Sequence, residues 1–304
     1  MMDLYRLASA DTGNGRQVYI EQGNRHFPLG DVLNNSDLDH LGGAPADLLP
    51  LLRDWDHWSI ILPKRLDAFL ATRPAAIEAN RLRFHPPVAA PGKLVCIGSN
   101  YHDHIAEMKI PMVPSYPYSF FKPASTTLRG SGDSVDAPHG VEMMDWEAEL
   151  AAIIGRRARN VAASDALDVV AGYANLNDLS ARDWLATRPP VGIDWVRHKA
   201  FDGFAPMGPY FVPAEFIPDP QQLPIELKVN GVVKQSSSTA HMVFGVAPII
   251  EHLSSIMTLE PGDVIATGTP AGVAQGHDPI VFLKAGDVVT MSVGPCGVLE
   301  TPIS

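Results

Sequence analysis

The chain has 304 residues, 46% hydrophobic and 19% charged, with a formal net charge of −11 at pH 7. This composition is typical of a soluble globular protein with one large domain or two domains. The acidic balance argues against a broad phosphate-binding surface, so we expect no nucleic-acid partner. A small anionic ligand would need a local concentration of cations or backbone N–H groups.

The ends and cysteines of the chain indicate its compartment. The N-terminus lacks the basic-then-apolar order of a signal peptide, and no apolar run approaches the roughly 20 residues of a membrane helix. Cys96 and Cys296 are too few and too scattered for a disulfide framework or a zinc site. We therefore expect a cytoplasmic protein without membrane association, with both cysteines in the core.

Residues 1–85 predict a small α+β region. The segment Val18–Ile20 is strand-like. Helical patterns run over Pro50–Trp58 and Pro63–Thr72, each beginning with a proline, which the first helical turn tolerates.

Residues 86–304 predict a β-rich domain with a few helices. Asn-Gly within Val229–Val232 is a hairpin signature, because both residues suit the positive φ values of a type I′ turn. The similar segments Glu260–Thr267 and Lys284–Met291 each predict a turn that leads into a strand. Together they indicate a meander or roll.

Two helices and one loop are predicted within this domain. One helix starts near Ser180, whose Ser-x-x-Asp order to Asp183 resembles a capping box. Another runs over Tyr101–Met108. The proline-rich stretch Lys109–Pro123 is predicted to be a mobile active-site loop.

Glu147 and Glu149 stand two apart in the apolar run Met143–Gly155. On a strand both side chains share one face. Within about 4–5 Å of each other they would repel by about 3–4 kcal/mol at an effective dielectric of about 20. No counter-charge is evident from the sequence, so a bound divalent metal is one means of removing this cost. The alternative is an amphipathic strand with its polar face in water.

Asp178 follows what looks like the end of a strand. An aspartate there is commonly a turn or helix-entry residue, and a metal ligand is the alternative. Three carboxylates would form an all-oxygen site that suits Mg²⁺ or Mn²⁺ and disfavours zinc.

His104 and Glu107 are three apart, so on a helix they lie on one face. A carboxylate that holds one imidazole nitrogen leaves the other free to take a proton from water. The alternatives are a solvated helix face and a role for His102 instead.

Lys199 and the turn Thr267–Pro270 are further candidates. Lys199 lies beside aromatic and small residues, where a partly buried ammonium could stabilise an anion, although an ordinary surface lysine fits equally well. The turn offers hydroxyls and backbone N–H groups for a carboxylate, or is a simple turn. The sequence contains no Gly-x-Ser-x-Gly, Walker or dinucleotide motif, which disfavours Ser-His-Asp hydrolysis and nicotinamide chemistry.

Taken in order, these segments resemble the fumarylacetoacetate hydrolase family over roughly residues 93 to 301. Several motifs in the right order are far more specific than any one of them. The matching segments are Lys93–Tyr101 with His104 and Glu107, Phe120–Pro123, Asp145–Leu150, Asn177–Asp183, Lys199–Asp202, Val229–Gly231, Pro261–Pro270 and Gly286–Val289.

The resemblance implies a β-roll catalytic domain, a homodimer, and Mg²⁺ or Mn²⁺ at the positions of Glu147, Glu149 and Asp178. It implies that the segment bearing His104 and Glu107 is a lid that orders over the substrate, and that the pair activates water. The remaining implied roles are an oxyanion contact for Lys199, a substrate-carboxylate contact for Thr269, a place beside the metal site for Arg182, and substrate contacts for Gly268 and Tyr101.

Two positions depart from the family pattern. Leu185 stands where many hydrolytic relatives carry Gln, so one expected polar substrate contact is missing. His241 replaces an expected acidic or amide residue before Met242. Both departures concern the identity of the substrate rather than metal binding.

The leading hypothesis is hydrolysis of an acylpyruvate or related 2,4-dioxo acid. Water activated by His104 would attack the C4 carbonyl, and the C3–C4 bond would break to release a metal-stabilised pyruvate enolate. Decarboxylation, isomerisation or hydration of a 2-oxo acid by the same enolate is the alternative. A non-catalytic metal- and ligand-binding protein is the alternative of another class, and a water-activating pair speaks against it.

Overall fold

The computed structural model of the chain describes residues 3–109 and 112–304. The strands are β1 Arg6–Asp11, β2 Gln17–Gln22, β3 Arg25–Pro28, β4 Arg83–His85, β5 Leu94–Gly98, β6 Tyr118–Phe121, β7 Leu128–Arg129, β8 Met144–Asp145, β9 Ala148–Ile154, β10 Val170–Asn177, β11 Ser180–Ala181, β12 Ala205–Pro206, β13 Val212–Pro213, β14 Pro224–Val229, β15 Val232–Ser238, β16 Val264–Ala266, β17 Val288–Val293 and β18 Leu299–Pro302. The α-helices are α1 Leu29–Val32, α2 Asn35–Leu41, α3 Leu49–Leu52, α4 Trp55–Leu70, α5 His102–Glu107, α6 Ala124–Thr127, α7 Arg182–Ala186, α8 Trp195–Lys199 and α9 Val246–Ile256. Short 3₁₀ helices cover Ala79–Arg81, Ala163–Val169, Ala214–Phe216, Thr239–His241 and Ala274–Gly276.

The N-terminal region contains a four-stranded antiparallel sheet in the order β3-β2-β1-β4. The strand predicted over Val18–Ile20 is confirmed by β2. The predicted boundary between the two helices is wrong. Pro63, predicted to begin the second helix, lies inside α4. The buried stripe Trp55, Trp58, Leu62 and Leu66 continues past Pro63, and its burial outweighs the roughly 3 kcal/mol that an interior proline costs.

The N-terminal helices and the central sheet share one hydrophobic core. Trp55 packs edge-to-face against Phe211 at a ring-centroid distance of 5.2 Å. Trp58 and Leu62 of α4 belong to the same buried cluster as Leu94 of β5 and Ile153 of β9. The domain boundary between residues 85 and 86 stays a prediction.

A six-stranded sheet in the order β13-β10-β9-β16-β5-β6 carries the polar residues of interest. Every residue of β9 and β10 is buried, so both faces of this antiparallel pair are covered. Their register places Asn177 opposite Ala148, and Asp178 donates its backbone N–H to the Glu147 carbonyl at 2.9 Å. The start of β9 and the end of β10 therefore lie side by side, which brings three carboxylates to one edge.

A four-stranded sheet in the order β15-β14-β17-β18 completes the C-terminal part. The predicted hairpin is confirmed, with Asn230 and Gly231 at φ values of 52° and 78°. The strands predicted after the two similar turns are confirmed by β16 and β17. The β-rich α+β class is thus confirmed, as is the burial of Cys96 and Cys296.

Two local predictions near the polar edge need correction. Ser180 lies in β11, and α7 begins only at Arg182, without a side-chain cap. Asp183 instead accepts backbone N–H groups from Glu142 and Met143, so there is no capping box. The helix predicted over residues 101–108 is confirmed by α5.

The stretch predicted as a loop, residues 109–123, is only partly irregular. Its end forms β6, which pairs with β5 as the outer strand of the six-stranded sheet. Residues 110 and 111 of this stretch lie outside the described residues. Across the described ranges, none of the helices is both long and apolar enough to cross a membrane.

The shared core predicts a large penalty for truncating Trp58. Trp58→Ala should lower the free energy of unfolding by about 3–5 kcal/mol, because the fully buried indole leaves a cavity. Ile60→Ala, on the same helix but 57% exposed, is the matched control and should change it by less than about 0.5 kcal/mol. Urea unfolding measures both, and equal small losses would contradict the packing described.

Candidate active site

Three buried carboxylates meet at the start of β9 and the end of β10. Oxygen atoms of Glu147, Glu149 and Asp178 lie within 4.8 Å of one another. The sequence prediction that both glutamates point to one site, together with Asp178, is thus confirmed in its geometry. The alternative of a polar strand face in water is wrong, since each of the three residues is at most 6% exposed.

Buried cations surround two of these carboxylates. The Lys199 Nζ donates to Glu147 Oε2 at 2.7 Å and to Asp178 Oδ2 at 2.6 Å. The Arg182 guanidinium donates to Glu147 Oε1 at 2.6 Å, and Lys122 Nζ donates to Asp178 Oδ1 at 2.5 Å. The sequence-based view that no counter-charge is available is therefore wrong, because these cations come from segments distant in the chain.

The ion pairs set the protonation of the site. Burial acts to raise the pKa of Glu147, but the Lys199 ammonium and the Arg182 guanidinium outweigh it and hold that pKa well below its usual range. Burial acts to lower the pKa of Lys199, but Asp178 and Glu147 raise it to about 12. Glu147 is therefore a carboxylate and Lys199 an ammonium at neutral pH.

Glu149 is different, because it has no cationic partner among the residues that the structure describes. Its Oε2 accepts the backbone N–H of Gly268 at 2.7 Å. Burial and the nearby carboxylates of Asp178 and Glu147 raise the pKa of Glu149 well above its usual value. Glu149 is therefore the carboxyl group of the cluster whose ionised form the described residues leave without a counter-charge.

The buried carboxylates of the site outnumber its buried cations by one, which leaves room for a bound metal cation. Asp145, which pairs with Arg182, raises the number of buried carboxylates to four, and Lys122, Arg182 and Lys199 supply three positive charges. With all four carboxyl groups ionised, the difference is one negative charge. Oxygen donors of this kind suit a hard divalent cation, so the residues fit the metal site that the sequence predicts.

A cavity of about 550 Å³ opens above the carboxylates. Its lining combines the ionic residues with an apolar wall in which the rings of Phe120 and Trp195 stack at 4.3 Å. The predicted residues that line it are Glu147, Asp178, Arg182, Lys199, His104 and Thr269, and Leu185 lines it as well.

His104 lies on α5 with its side chain facing this cavity. Its Nδ1 is 3.5 Å from Glu107 Oε2 and has no hydrogen-bond partner in the described parts of the chain. The Glu107 carboxylate instead accepts the backbone N–H of Gly272 at 2.9 Å and 3.1 Å. The two side chains are neighbours as predicted, but their roles as a water-activating pair stay a prediction.

Three residues predicted to contact substrate differ in their placement. Thr269 lines the cavity, and its hydroxyl accepts from Gln235 Nε2 at 2.8 Å. Gly268, at φ +97°, orients Glu149 through its N–H, and an added Cβ would lie 2.7 Å from the Asn100 Cβ. Tyr101 is fully buried near Glu149 and does not line the cavity.

The sequence analysis assigned no role to two charged residues of the site, Lys122 and Asp145. Lys122 lies in the matching segment Phe120–Pro123 but received no role, and it also donates to the carbonyl oxygens of Leu179 and Phe204. Asp145 accepts from Arg182 Nε at 2.9 Å and from the Ala274 N–H at 2.7 Å. The sequence did offer a signal for each. Asp145 stands two residues before Glu147, and Lys122 stands in a segment that matches the family.

A family model matches the part of the sequence that carries the site. The fumarylacetoacetate (FAA) hydrolase C-terminal model matches residues 93–304. The chain therefore belongs to the fumarylacetoacetate hydrolase family, as the sequence motifs indicate.

Proteins similar to this chain carry the names of several different activities. It is 40% identical over 244 residues to "Oxaloacetate tautomerase fahd2, mitochondrial" of Xenopus laevis, covering 78% of this chain and 75% of that protein. It resembles the fumarylacetoacetate hydrolase from Exiguobacterium antarcticum with a TM-score of 0.79 and 30% identity, covering 99% of both chains. It also resembles maleylpyruvate hydrolase from Sphingobium sp. SYK-6, solved with manganese(II) and pyruvate, with a TM-score of 0.75, 28% identity and 98% of both chains covered.

The unequal pairing of the two glutamates predicts unequal effects on the metal-free protein. Glu147→Gln should lower the free energy of unfolding by about 1–3 kcal/mol, because it removes one of the two charge partners of buried Lys199 and of buried Arg182. Glu149→Gln should leave stability unchanged or raise it, since it removes the unbalanced charge. Urea unfolding with a chelator present measures both, and a larger loss for Glu149→Gln would refute this charge distribution.

The buried imidazole of His198 predicts acid sensitivity. Burial and the neighbouring Lys199 ammonium lower the pKa of His198 from 6.5 to about 3. Between these values the unfolded chain binds a proton that the folded chain does not, so stability falls as the pH drops from about 6.5. His198→Asn keeps a donor for the Ala181 carbonyl and should flatten this slope. Parallel slopes for both proteins from pH 7 to 5 would show that His198 does not contribute.

Proposed function

We propose that this protein is a Mg²⁺- or Mn²⁺-dependent enzyme that interconverts the keto and enol forms of a 2-oxo dicarboxylic acid such as oxaloacetate. The observation that carries the proposal is the buried carboxylate cluster with its unbalanced Glu149, open to a cavity that His104 also lines. The 40% identity to a protein named oxaloacetate tautomerase supports the choice of reaction.

The charge balance supports an anionic substrate. The site holds one net negative charge on its own, and a divalent cation would change this to one net positive charge. A 2-oxo acid brings at least one carboxylate, which would neutralise that charge in a dry site. The protein as a whole is acidic, so this local reversal of sign is what attracts the substrate.

Glu147, Glu149 and Asp178 would hold the metal. When bound, it would supply a Lewis acid that stabilises negative charge on the 2-oxo group. Lys199 remains an ammonium beside the same carboxylates, so it can donate a hydrogen bond to an oxygen that becomes negative, and it cannot act as the base.

His104 is the residue placed to move the C3 proton. Its side chain lines the cavity, and its Nδ1 is buried beside Glu107, which leaves Nε2 as the nitrogen that can reach a substrate. A neutral imidazole can accept the proton from C3, and protonation of the enolate on its 2-oxo oxygen then gives the enol. Tautomerisation needs this base and no activated water.

Hydrolysis of the C3–C4 bond of an acylpyruvate is the second candidate, because Glu107 lies near His104. Their separation of 3.5 Å is too long for a strong hydrogen bond, but such contacts tighten in many enzymes once substrate binds. A cytoplasmic location and a homodimer remain predictions that accompany both reactions.

Variants on α5 separate the two reactions. His104→Ala should lower kcat for oxaloacetate tautomerisation by about 10²–10⁴-fold, the usual contribution of a positioned base. Glu107→Gln should leave tautomerisation within about threefold, and it should slow pyruvate release from acetylpyruvate at least tenfold if the second reaction also occurs, since only water activation depends on that carboxylate. Ultraviolet absorbance follows both substrates on one preparation with added Mg²⁺.

The matched control is His102→Ala, because His102 is an exposed histidine on the same helix. This variant should retain the wild-type rate. Full tautomerase activity in His104→Ala would rule out the proposed base, and full activity after exhaustive chelation would rule out the metal requirement.

A further inference from the structure

One polar side chain in the cavity has no partner. Gln275 lines the cavity, and its Oε1 is fully buried without a hydrogen bond in the described residues. A buried amide oxygen without a partner costs about 1–3 kcal/mol of desolvation free energy, so native proteins rarely keep one without a reason. The proposed function gives Gln275 no role.

The backbone around Gln275 is held firmly in place. The N–H groups of Ala274 and Gln275 donate to the Asp145 carboxylate at 2.7 Å and 3.4 Å. On the other side of the loop, Gly272 donates to Glu107 and accepts from Trp146 Nε1 at 2.9 Å. The free side chain therefore extends from a fixed backbone, which favours a ligand contact over a surface side chain without a function.

Asp145 also ties this loop to helix α7. The same carboxylate accepts from Arg182 Nε at 2.9 Å, and Arg182 is the first residue of α7. Leu185 of α7 lines the cavity and offers no hydrogen bond. Both Gln275 and Leu185 line the cavity, and only Gln275 of these two can form a hydrogen bond through its side chain.

We infer that Gln275 is a specificity-determining residue that hydrogen-bonds an oxygen on C4 of the substrate, selecting 2-oxo acids with a polar C4 substituent over those with an alkyl tail. The carboxylate cluster and Lys199 take the 2-oxo acid end, which leaves other polar lining residues, Gln275 and Arg188 among them, for the tail. The inference rests on the proposed function only for the orientation of that 2-oxo acid end. An amide suits either kind of oxygen, since Oε1 accepts from a hydroxyl and Nε2 donates to a carboxylate or carbonyl.

A matched ligand pair tests this without turnover. 2-Oxobutanoate and 4-hydroxy-2-oxobutanoate differ only by the C4 hydroxyl, and calorimetric titration into Mn²⁺-loaded protein gives their affinity ratio. NMR after each titration confirms that the ligand is intact. The wild type should prefer the hydroxylated ligand, and Gln275→Leu should reduce that preference about threefold to tenfold, the range for one neutral hydrogen bond.

Two further variants and one ligand separate a contact from a structural role. Oxalate has no C4, so its affinity should be equal in wild type and Gln275→Leu. The unfolding midpoint of Gln275→Leu should not fall, because the substitution removes a buried oxygen that has no partner. Adding Leu185→Gln to Gln275→Leu should restore part of the preference by returning an amide to the cavity. Leu185→Ala on the same background adds no amide and should restore nothing.

The outcomes separate the two proposals. An unchanged ligand preference in Gln275→Leu, with oxalate still bound normally, would overturn the role of Gln275 and leave the proposed function standing. Failure of Mn²⁺-loaded wild type to bind oxalate would contradict the proposed function, and the assignment of the C4 contact would fall with it. A parallel loss of oxalate affinity in Gln275→Leu would also overturn the inference, because it would show a structural role.

Discussion

The structure depends on one constraint: the charge of carboxylates buried at the edge of the central sheet has to be balanced. Oxygen atoms of Glu147, Glu149 and Asp178 lie within 4.8 Å of one another, and each residue is at most 6% exposed. Such a group is tolerable only if cations are supplied from elsewhere. The protein supplies Lys122, Arg182 and Lys199 and leaves Glu149 without a cation in the described part of the chain. The position of each functional element follows from this requirement.

Each cation comes from a different segment that the fold brings to the carboxylates. Lys122 follows the outer strand β6, Arg182 begins α7, and Lys199 ends α8. Asp145 then joins α7 to the loop that carries Gln275, and Glu107 joins α5 to the same loop. The walls of the cavity are thus linked to the charged cluster through backbone N–H groups, which fixes the geometry before any ligand binds.

Local patterns in the sequence predicted what depends on neighbours in the chain. The alternation of Glu147 and Glu149 predicted a common face, and Asn230-Gly231 predicted a hairpin, because both follow from strand and turn geometry. The three cations were not predicted as counter-charges, since long-range sheet pairing brings them together. Pro63 inside α4 shows the same limit, because tertiary burial of a helix face overrode a local stop signal.

Mn²⁺ binding followed by electron paramagnetic resonance tests the central claim most directly, because free Mn²⁺ gives a strong signal that falls on binding. We expect one Mn²⁺ site per chain in the wild type and in Glu142→Gln, which changes an exposed acidic residue near the site and serves as the control. Glu149→Gln should lose the site while remaining folded, since this residue supplies the unbalanced charge. Unchanged stoichiometry and affinity in Glu149→Gln would contradict the assignment of the metal to the three buried carboxylates.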